Sequence, residues 1–232
     1  MEHGLKHLAC IMDGNRRWAI RQGLLSFFGH RKGLDAVKLV IDFCLAKNIA
    51  HLSLYTFSTE NLQRSAEEQR YLFEVLAQEA ARELEEFKQK NVRMKFIGDR
   101  ALFPSSVVPL CEKIEQETAH CTALEVNFLL CYGGQQEIVA ATKRIANLVT
   151  QGQLRAEDIT PKIFEDNLWT AGTPSPNLII RTGGQKRLSI FLLFQCAYSE
   201  LYFLDCMWPD ISAEKLEMAL IYYAECQKNF GK

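Results

Sequence analysis

A chain of 232 residues, 48% of them hydrophobic, can bury one sizeable core, and no Pro/Gly/Ser-rich or single-sign stretch divides it, so one domain spanning 1–232 is expected. A net charge of -1 excludes the broad basic surface of a nucleic-acid binder, so any anion must be met by a local cluster of cations. The eight cysteines form no CxxC pair and fall mostly in apolar runs, the pattern of reduced, buried thiols in a cytoplasmic protein. No signal peptide or stretch of bilayer-spanning length is visible.

Along the chain, apolar runs rich in β-branched and aromatic residues stand at 8–12, 52–57, 92–97, 126–131, 178–180 and 201–204. Segments of helical periodicity lie between most of them. Residues 33–47 put Leu34, Val37, Val40, Ile41 and Leu45 on one side of a helix. Residues 67–90 carry a longer stripe of Leu72, Phe73, Leu76, Ala80, Leu84 and Phe87, which reads as core packing or, in part, as the wall of a cavity for a long apolar ligand. Pro104 and Ser105 fit the start of a helix towards His120, a further helix follows at 135–150, and Thr160-Pro161 opens a short one ending near Trp169. This alternation predicts an α/β fold with a mainly parallel sheet flanked by helices.

Polar residues cluster where these strands should end. Asp13, Gly14, Asn15, Arg16, Arg17 and Trp18 follow the first run directly, at the carboxyl edge where open α/β sheets bind ligands. A carboxylate offers oxygen to a hard cation such as Mg²⁺, a glycine lets backbone approach an anion, and guanidinium forks suit phosphate oxygens. Alone, the segment also reads as a strand ending in an exposed turn. Ser58, Thr59, Glu60, Asn61 and Arg64 follow the second run, Arg181, Thr182, Gly183, Gly184, Arg187 and Ser189 follow the fifth, and His30 and Arg31 follow Phe27-Phe28-Gly29. In a parallel sheet these groups gather at one edge as a cationic pocket.

The strings IMDGNRRWA, GHRKG, LYTFSTEN, YGGQQEI, IIRTGGQKRLS, FLLFQCAYSELYF and WPD, in this order, resemble the signature blocks of the cis-prenyltransferases, in particular bacterial isoprenyl transferases of the undecaprenyl diphosphate synthase type. The resemblance runs from Ile11 to Asp210, and the paired DDxxD motifs of the all-helical trans-prenyltransferases are missing. It implies a homodimer, a six-stranded, mostly parallel sheet flanked by helices, and an apolar tunnel. It also implies Mg²⁺-dependent condensation of isopentenyl diphosphate with an allylic prenyl diphosphate into Z-configured polyprenyl diphosphates, the lipid carrier precursors of cell-wall synthesis. An apolar product of that kind leaves room for a transient membrane-surface contact on release.

By this resemblance, Asp13 is the catalytic Mg²⁺ ligand, and Gly14, Asn15, Arg16, Arg17 and His30 hold the allylic diphosphate, with Trp18 at the start of the allylic chain. Arg181, Arg187, Leu188 and Ser189 match the isopentenyl diphosphate site, and Glu200 matches a second metal ligand supplied across the dimer. Ser58, Thr59, Glu60, Asn61, Leu62 and Arg64 match the loop between the substrates. Asn61 falls at the family's proton-acceptor position, but a carboxamide is a poor base and reads better as a positioning group or relay. Departures are Ser26 for an arginine before Gly29-His30, Leu62 for a tryptophan, Ser65 for a proline, Cys131 and Gln135 for an asparagine and an arginine, and Gln185 and Ile190 for a glutamate and an asparagine. The loss at Ser26 removes one diphosphate donor, for which Arg16 or Arg31 can stand in. The rival readings are a non-catalytic partner subunit, although such subunits typically lose the aspartate loop kept here, and a Mg²⁺-dependent phosphohydrolase with Asp13 as nucleophile. Neither a Walker loop nor a strand-linked GxGxxG supports a nucleotide-binding module.

Overall fold

The computed structural model describes residues 4–226. Its centre is β1 (His7–Ile11), buried along its whole length. The pleat sends alternate residues to opposite faces, so Leu8 and Cys10 enter one apolar cluster while Ala9 and Ile11 enter another. Burial on both faces is what a strand inside a doubly covered parallel sheet requires. Beside β1 lie β2 (His51–Ser58) and β5 (Leu178–Arg181), and beyond them β3 (Val92–Ile97), β4 (Leu124–Tyr132) and β6 (Glu200–Phe203). The order is β3-β4-β2-β1-β5-β6, and all five pairings are parallel, more uniform than the sequence pattern required.

The chain winds outward from β1 through β2 and later returns on the other side with β5, so the order reverses between β1 and β5. Such a reversal opens a crevice at the carboxyl ends of the two strands. Ile11 is level with Arg181 there, which puts Asp13 beside the loop that follows β5.

The larger cluster is covered by α2 (Phe28–Ala46), α3 (Ala66–Gln89) and α4 (Val108–Thr118), together with α7 (Ala213–Glu225). The smaller is covered by Phe191, Leu192 and Trp169, near α5 (Gly134–Thr150) and α6 (Pro161–Asp166). The stripe on α3 divides between core and the wall of a small cavity. Leu72, Phe73, Leu84 and Phe87 are core, whereas Leu76 and Ala80, half-buried, line an apolar cavity of about 50 Å³ between α2, α3, α4 and the sheet.

Several boundaries differ from expectation. Residues 15–21, where the sequence pattern offers no helix, form α1 (Asn15–Arg21), seven residues and too short to show periodicity. The α2 helix begins at Phe28 rather than 33, and α4 at Val108 rather than 104, because Pro104 sits in a turn whose carbonyl accepts the Val107 N–H. The α6 helix stops at Asp166, short of Trp169. The unanticipated α7 starts where Ser212 caps the Lys215 N–H, and it buries Leu216, Ala219, Leu220 and Tyr223 at helical spacing.

Candidate active site at the carboxyl edge of the sheet

Asp13 and Arg181 form the hinge of the site. Arg181 closes β5 almost fully buried, and its Nη2 donates to Asp13 Oδ2 at 2.9 Å. Its other terminal nitrogen donates to Ser189 Oγ at 2.9 Å and to the Arg187 carbonyl, so one side chain ties the β1 loop to the loop after β5. Arg17, one turn along α1, donates to Asp13 Oδ1 at 3.1 Å. Both carboxylate oxygens therefore face guanidinium groups, an arrangement that fixes their positions in advance of any ligand.

The backbone around Asp13 is equally constrained. Its carbonyl accepts the Thr182 hydroxyl at 2.7 Å and the Trp208 N–H at 3.0 Å, while the Trp208 indole donates to the Gly33 carbonyl at 2.9 Å. Gly14 adopts φ 107°, a region closed to most side chains, and a Cβ there would lie 2.9 Å from Met207 Cβ. Gly183, at φ 83°, leaves room for the Arg17–Asp13 pair, since a Cβ would come within 2.5 Å of Arg17 Nη2.

A cavity of about 300 Å³ opens above this hinge. It gathers Asp13, Asn15, His30, Ser58, Glu60, Asn61, Arg64, Arg181, Arg187 and Ser189, and a neighbouring recess adds Gly14, Arg16 and Arg17. These are the residues expected from the strand ends, brought together by parallel strands as anticipated. Leu34, Val37, Thr56, Leu76 and Phe128 line both this cavity and the apolar one behind it, so the polar mouth meets an apolar interior.

Three buried polar atoms along the mouth have no hydrogen-bond partner within the described protein: Asn15 Oδ1, His30 Nε2 and Arg181 Nε. A buried polar group left unpaired is costly, so such atoms mark where a polar ligand belongs. Burial, reinforced by the charges of Arg64 and Arg16, lowers His30 from 6.5 to about 4, leaving a neutral imidazole at pH 7. Asn61 turns its Oδ1 back to accept the Ser58 N–H at 3.1 Å, which leaves its NH₂ as the group on offer. Glu68, at the start of α3, faces Arg16 at 3.7 Å and Arg64 at 3.4 Å.

Other expected residues lie elsewhere. Trp18 is turned out of the cavity, because its indole N–H donates to Asp210 at 2.8 Å, and it lines an outer groove with Arg31. Arg16 lines the recess beside Asp13, Arg31 lines the outer groove, and Ser26 lines neither. Leu62 packs against the larger apolar cluster and Leu188 against the smaller, and Thr59, in the turn after β2, lines neither cavity. Glu200 opens β6, level with Leu178, so it lies about 10 Å of strand before the edge where Asp13 stands. Within one protomer, Glu200 and Asp13 do not meet.

Sequence reasoning missed the supports of the acceptor-side loop. The Tyr55 hydroxyl, which burial keeps protonated, donates to the Ser189 carbonyl at 3.2 Å, and the Gly134 N–H donates to Ile190 O at 2.7 Å. These bonds hold Ser189, Ile190 and Leu192 in left-handed conformations at φ 48°, 57° and 46°. Below them, the fully buried Glu137 accepts from Tyr132 Oη at 2.5 Å, Gln195 Nε2 at 2.9 Å and Thr170 Oγ1 at 2.9 Å. The signal was present in Tyr132-Gly133-Gly134 and Glu137, polar and glycine residues closing an apolar strand, but their partners are distant in sequence.

Known proteins share this architecture. A family model described as putative undecaprenyl diphosphate synthase matches residues 11–231. The chain is 42% identical over 227 residues to a ditrans,polycis-undecaprenyl-diphosphate synthase, (2E,6E)-farnesyl-diphosphate specific, of Pseudomonas putida, covering 98% of this chain and 90% of that one. It is 41% identical to an isoprenyl transferase of Listeria innocua, covering 97% and 90% of the two chains. Among solved structures, lavandulyl diphosphate synthase from Lavandula x intermedia, in complex with dimethylallyl diphosphate, superposes with TM-score 0.96 at 30% identity over 100% of both chains. A probable undecaprenyl diphosphate synthase from Campylobacter jejuni does so with TM-score 0.82 at 33% identity over 98% and 99%. Fold and sequence together define a prenyl-transferring enzyme of the cis-prenyltransferase class. Within that class, the chain belongs to the undecaprenyl diphosphate synthase family.

Proposed function

We propose that the chain condenses isopentenyl diphosphate with an allylic prenyl diphosphate and repeats the step, giving Z-configured polyprenyl diphosphates that precede a cell-wall lipid carrier. The observation that carries this reading is Arg181, whose bonds to Asp13 and Ser189 join two anion-binding loops across one cleft that backs onto an apolar cavity. A hydrolase needs one phosphate site and water; a cleft with two cationic lobes and an apolar rear suits two diphosphates and a growing chain. The kept Asp13 loop also weighs against a non-catalytic partner subunit.

Arg16, Arg17 and His30 hold the allylic diphosphate, and Arg181, Arg187 and Ser189 hold that of the isopentenyl substrate. The allylic C–O bond breaks and the diphosphate departs with its electrons. The isopentenyl double bond then attacks the allylic carbon, and loss of a proton forms the new Z double bond. A diphosphate with about three negative charges leaves only where preorganised donors meet the developing charge, which is the work of the arginines. Asn61, its oxygen already engaged, positions through its NH₂, and the proton passes to a diphosphate oxygen or water. The apolar cavity beside Leu76 and Ala80 is the start of the tunnel for the growing chain.

Among the described residues, no group of three His, Cys, Asp or Glu side chains stands ready to hold a metal. Mg²⁺, however, is commonly bound by one or two carboxylates plus substrate phosphates. Asp13, with the unpartnered Asn15 Oδ1 near it, fits a Mg²⁺ that arrives on the diphosphate. When bound, the ion supplies positive charge to the departing diphosphate. Glu200, on the edge strand β6, can serve only a partner's site, in keeping with a homodimer formed through that edge. Among the described residues no helix is long and apolar enough to cross a membrane; the reading is of a cytoplasmic enzyme whose apolar product calls for a membrane-surface contact on release.

Asp13→Ala tests the assignment. With Mg²⁺ present, isopentenyl incorporation should fall by about 10³-fold or more while the circular dichroism spectrum stays unchanged. An unaltered rate would remove Asp13 from the chemistry.

A further inference from the structure

Of the twelve large hydrophobic residues that the described chain leaves exposed, four fall within nine consecutive positions: Ile20 at 63%, Leu24 at 46%, Leu25 at 61% and Phe28 at 40%. Single exposed hydrophobics are ordinary, but a contiguous group marks a contact surface. The group is also built rather than frayed. At the end of α1, the Gly23 N–H donates to Ile20 O at 3.0 Å and the Leu24 N–H to Ala19 O at 2.9 Å, with Gly23 left-handed at φ 72°. That is a Schellman cap, and it presents Leu24 and Leu25 from a fixed turn.

Charge surrounds this patch unevenly. Residues 14–34 contain five Lys and Arg and no Asp or Glu, in a chain whose net charge is -1. Arg16, Arg17 and Lys32 face acids at Glu68, Asp13 and Asp35, while Arg21 and Arg31 are exposed at the rim. An outer groove of about 620 Å³ beside the turn is floored by Trp18 and Phe28 and edged by Arg31, Lys32 and Arg82, as well as Asp35 and Glu79.

We propose that this turn, residues 20–28 with its arginine rim, docks the enzyme on an anionic lipid surface. Apolar side chains backed by a polar body and ringed by cations match a headgroup interface carrying negative charge. A second copy of the chain fits the patch less well, because it would bring the same arginines face to face. The other exposed apolar group, Leu201, Met218, Ile221 and Tyr222 on β6 and α7, lacks such a cationic rim: Glu200, Asp205 and Glu214 lie on or next to its elements with Lys215, and Glu217 is paired with Lys47 at 2.7 Å, a mixed setting that suits protein rather than lipid. Position adds a consequence: Ile20 also lines the recess of Asp13, Arg16 and Arg17, so the docking turn borders the cleft. Lipid binding stands on the surface alone, while its value to turnover rests on the proposed function.

The experiment is flotation of the full chain with vesicles of mixed phosphatidylglycerol and phosphatidylethanolamine, compared with pure phosphatidylcholine. The chain should bind the anionic vesicles, and Leu24→Glu/Leu25→Glu should lower partitioning by about tenfold or more. Arg21→Glu/Arg31→Glu should lower it by about tenfold at low salt, an effect that higher salt erases. Because Leu24 and Leu25 line neither the cleft nor its recess, that variant should keep the parent's incorporation rate in detergent and lose only its acceleration by anionic vesicles. Equal partitioning of parent and leucine variant would overturn the proposal. So would a concentration-dependent self-association that the leucine substitutions abolish. A chain that binds vesicles through these residues but incorporates no isopentenyl groups would instead overturn the proposed function and leave the docking surface standing.

Discussion

His30 makes the sharpest prediction at the scale of one residue. It is buried beside Arg16 and Arg64, held near 4, and its Nε2 has no partner within the described protein. A bound diphosphate supplies the negative charge that the imidazolium lacks, so binding should raise its pKa and take up a proton. Calorimetry of inorganic pyrophosphate binding at about pH 6, in buffers of different ionisation enthalpy, should show more proton uptake for the parent than for His30→Gln. Equal uptake would place the imidazole away from the anion. At this scale the sequence was legible where chemistry follows a strand directly, as at Asp13 and Arg181. It was silent on the pairing of those two side chains at 2.9 Å, because that depends on the register of β1 against β5. It gave no sign that the Trp18 indole bonds to Asp210, a residue 192 positions away.

Elements decide how far the product can grow. The α3 helix presents Ala80 to the apolar cavity where Leu34, Val37 and Phe128 also point, and a bulkier side chain there should block extension without disturbing the diphosphate loops. Ala80→Trp should shift the product ladder to shorter chains at a similar initial rate, read by thin-layer chromatography. An unchanged ladder would mean that this face of α3 is not the tunnel wall. The periodicity of α3 and the six apolar runs were legible because amphipathic helices and buried strands repeat their pattern over many residues. The α1 helix was not, since seven residues held by glycine and tertiary contacts leave no period to read. The loop after Arg187 shows a different gap. The sequence marks Ile190 as replacing an asparagine, and only the backbone, left-handed there, shows why asparagine suits the position and a β-branched residue strains it.

The whole molecule carries an acid liability that follows from two buried histidines. His7 is lowered from 6.5 to about 4 by burial; its Nδ1–H donates to Pro174 O at 2.6 Å while the Ser53 hydroxyl donates to Nε2 at 2.9 Å, which fixes the neutral form. With His30, this makes two groups that bind protons less readily folded than unfolded. Their contribution to stability is therefore full above pH 6.5 and lost as pH falls towards 4, amounting to about 2 kcal/mol per histidine at about pH 5. Glu125 acts in a lower window: burial pushes its carboxyl up, but His51 and Lys95 more than reverse this and hold it at about 2, so its contribution persists above 4.5 and fades below. Urea unfolding midpoints should thus fall between pH 7 and 5, and a flat profile would contradict the neutral burial of both rings.

At the same scale, the all-parallel sheet gathers two cationic lobes and an apolar interior at one switch point, where isoprene units would be joined. The direct measurement is mass spectrometry of the products formed by the purified chain from farnesyl diphosphate and isotopically labelled isopentenyl diphosphate with Mg²⁺. The products should form a ladder of prenyl diphosphates rising by one isoprene unit per step, absent from Asp13→Ala. Release of phosphate or diphosphate without any chain longer than the starter would contradict it.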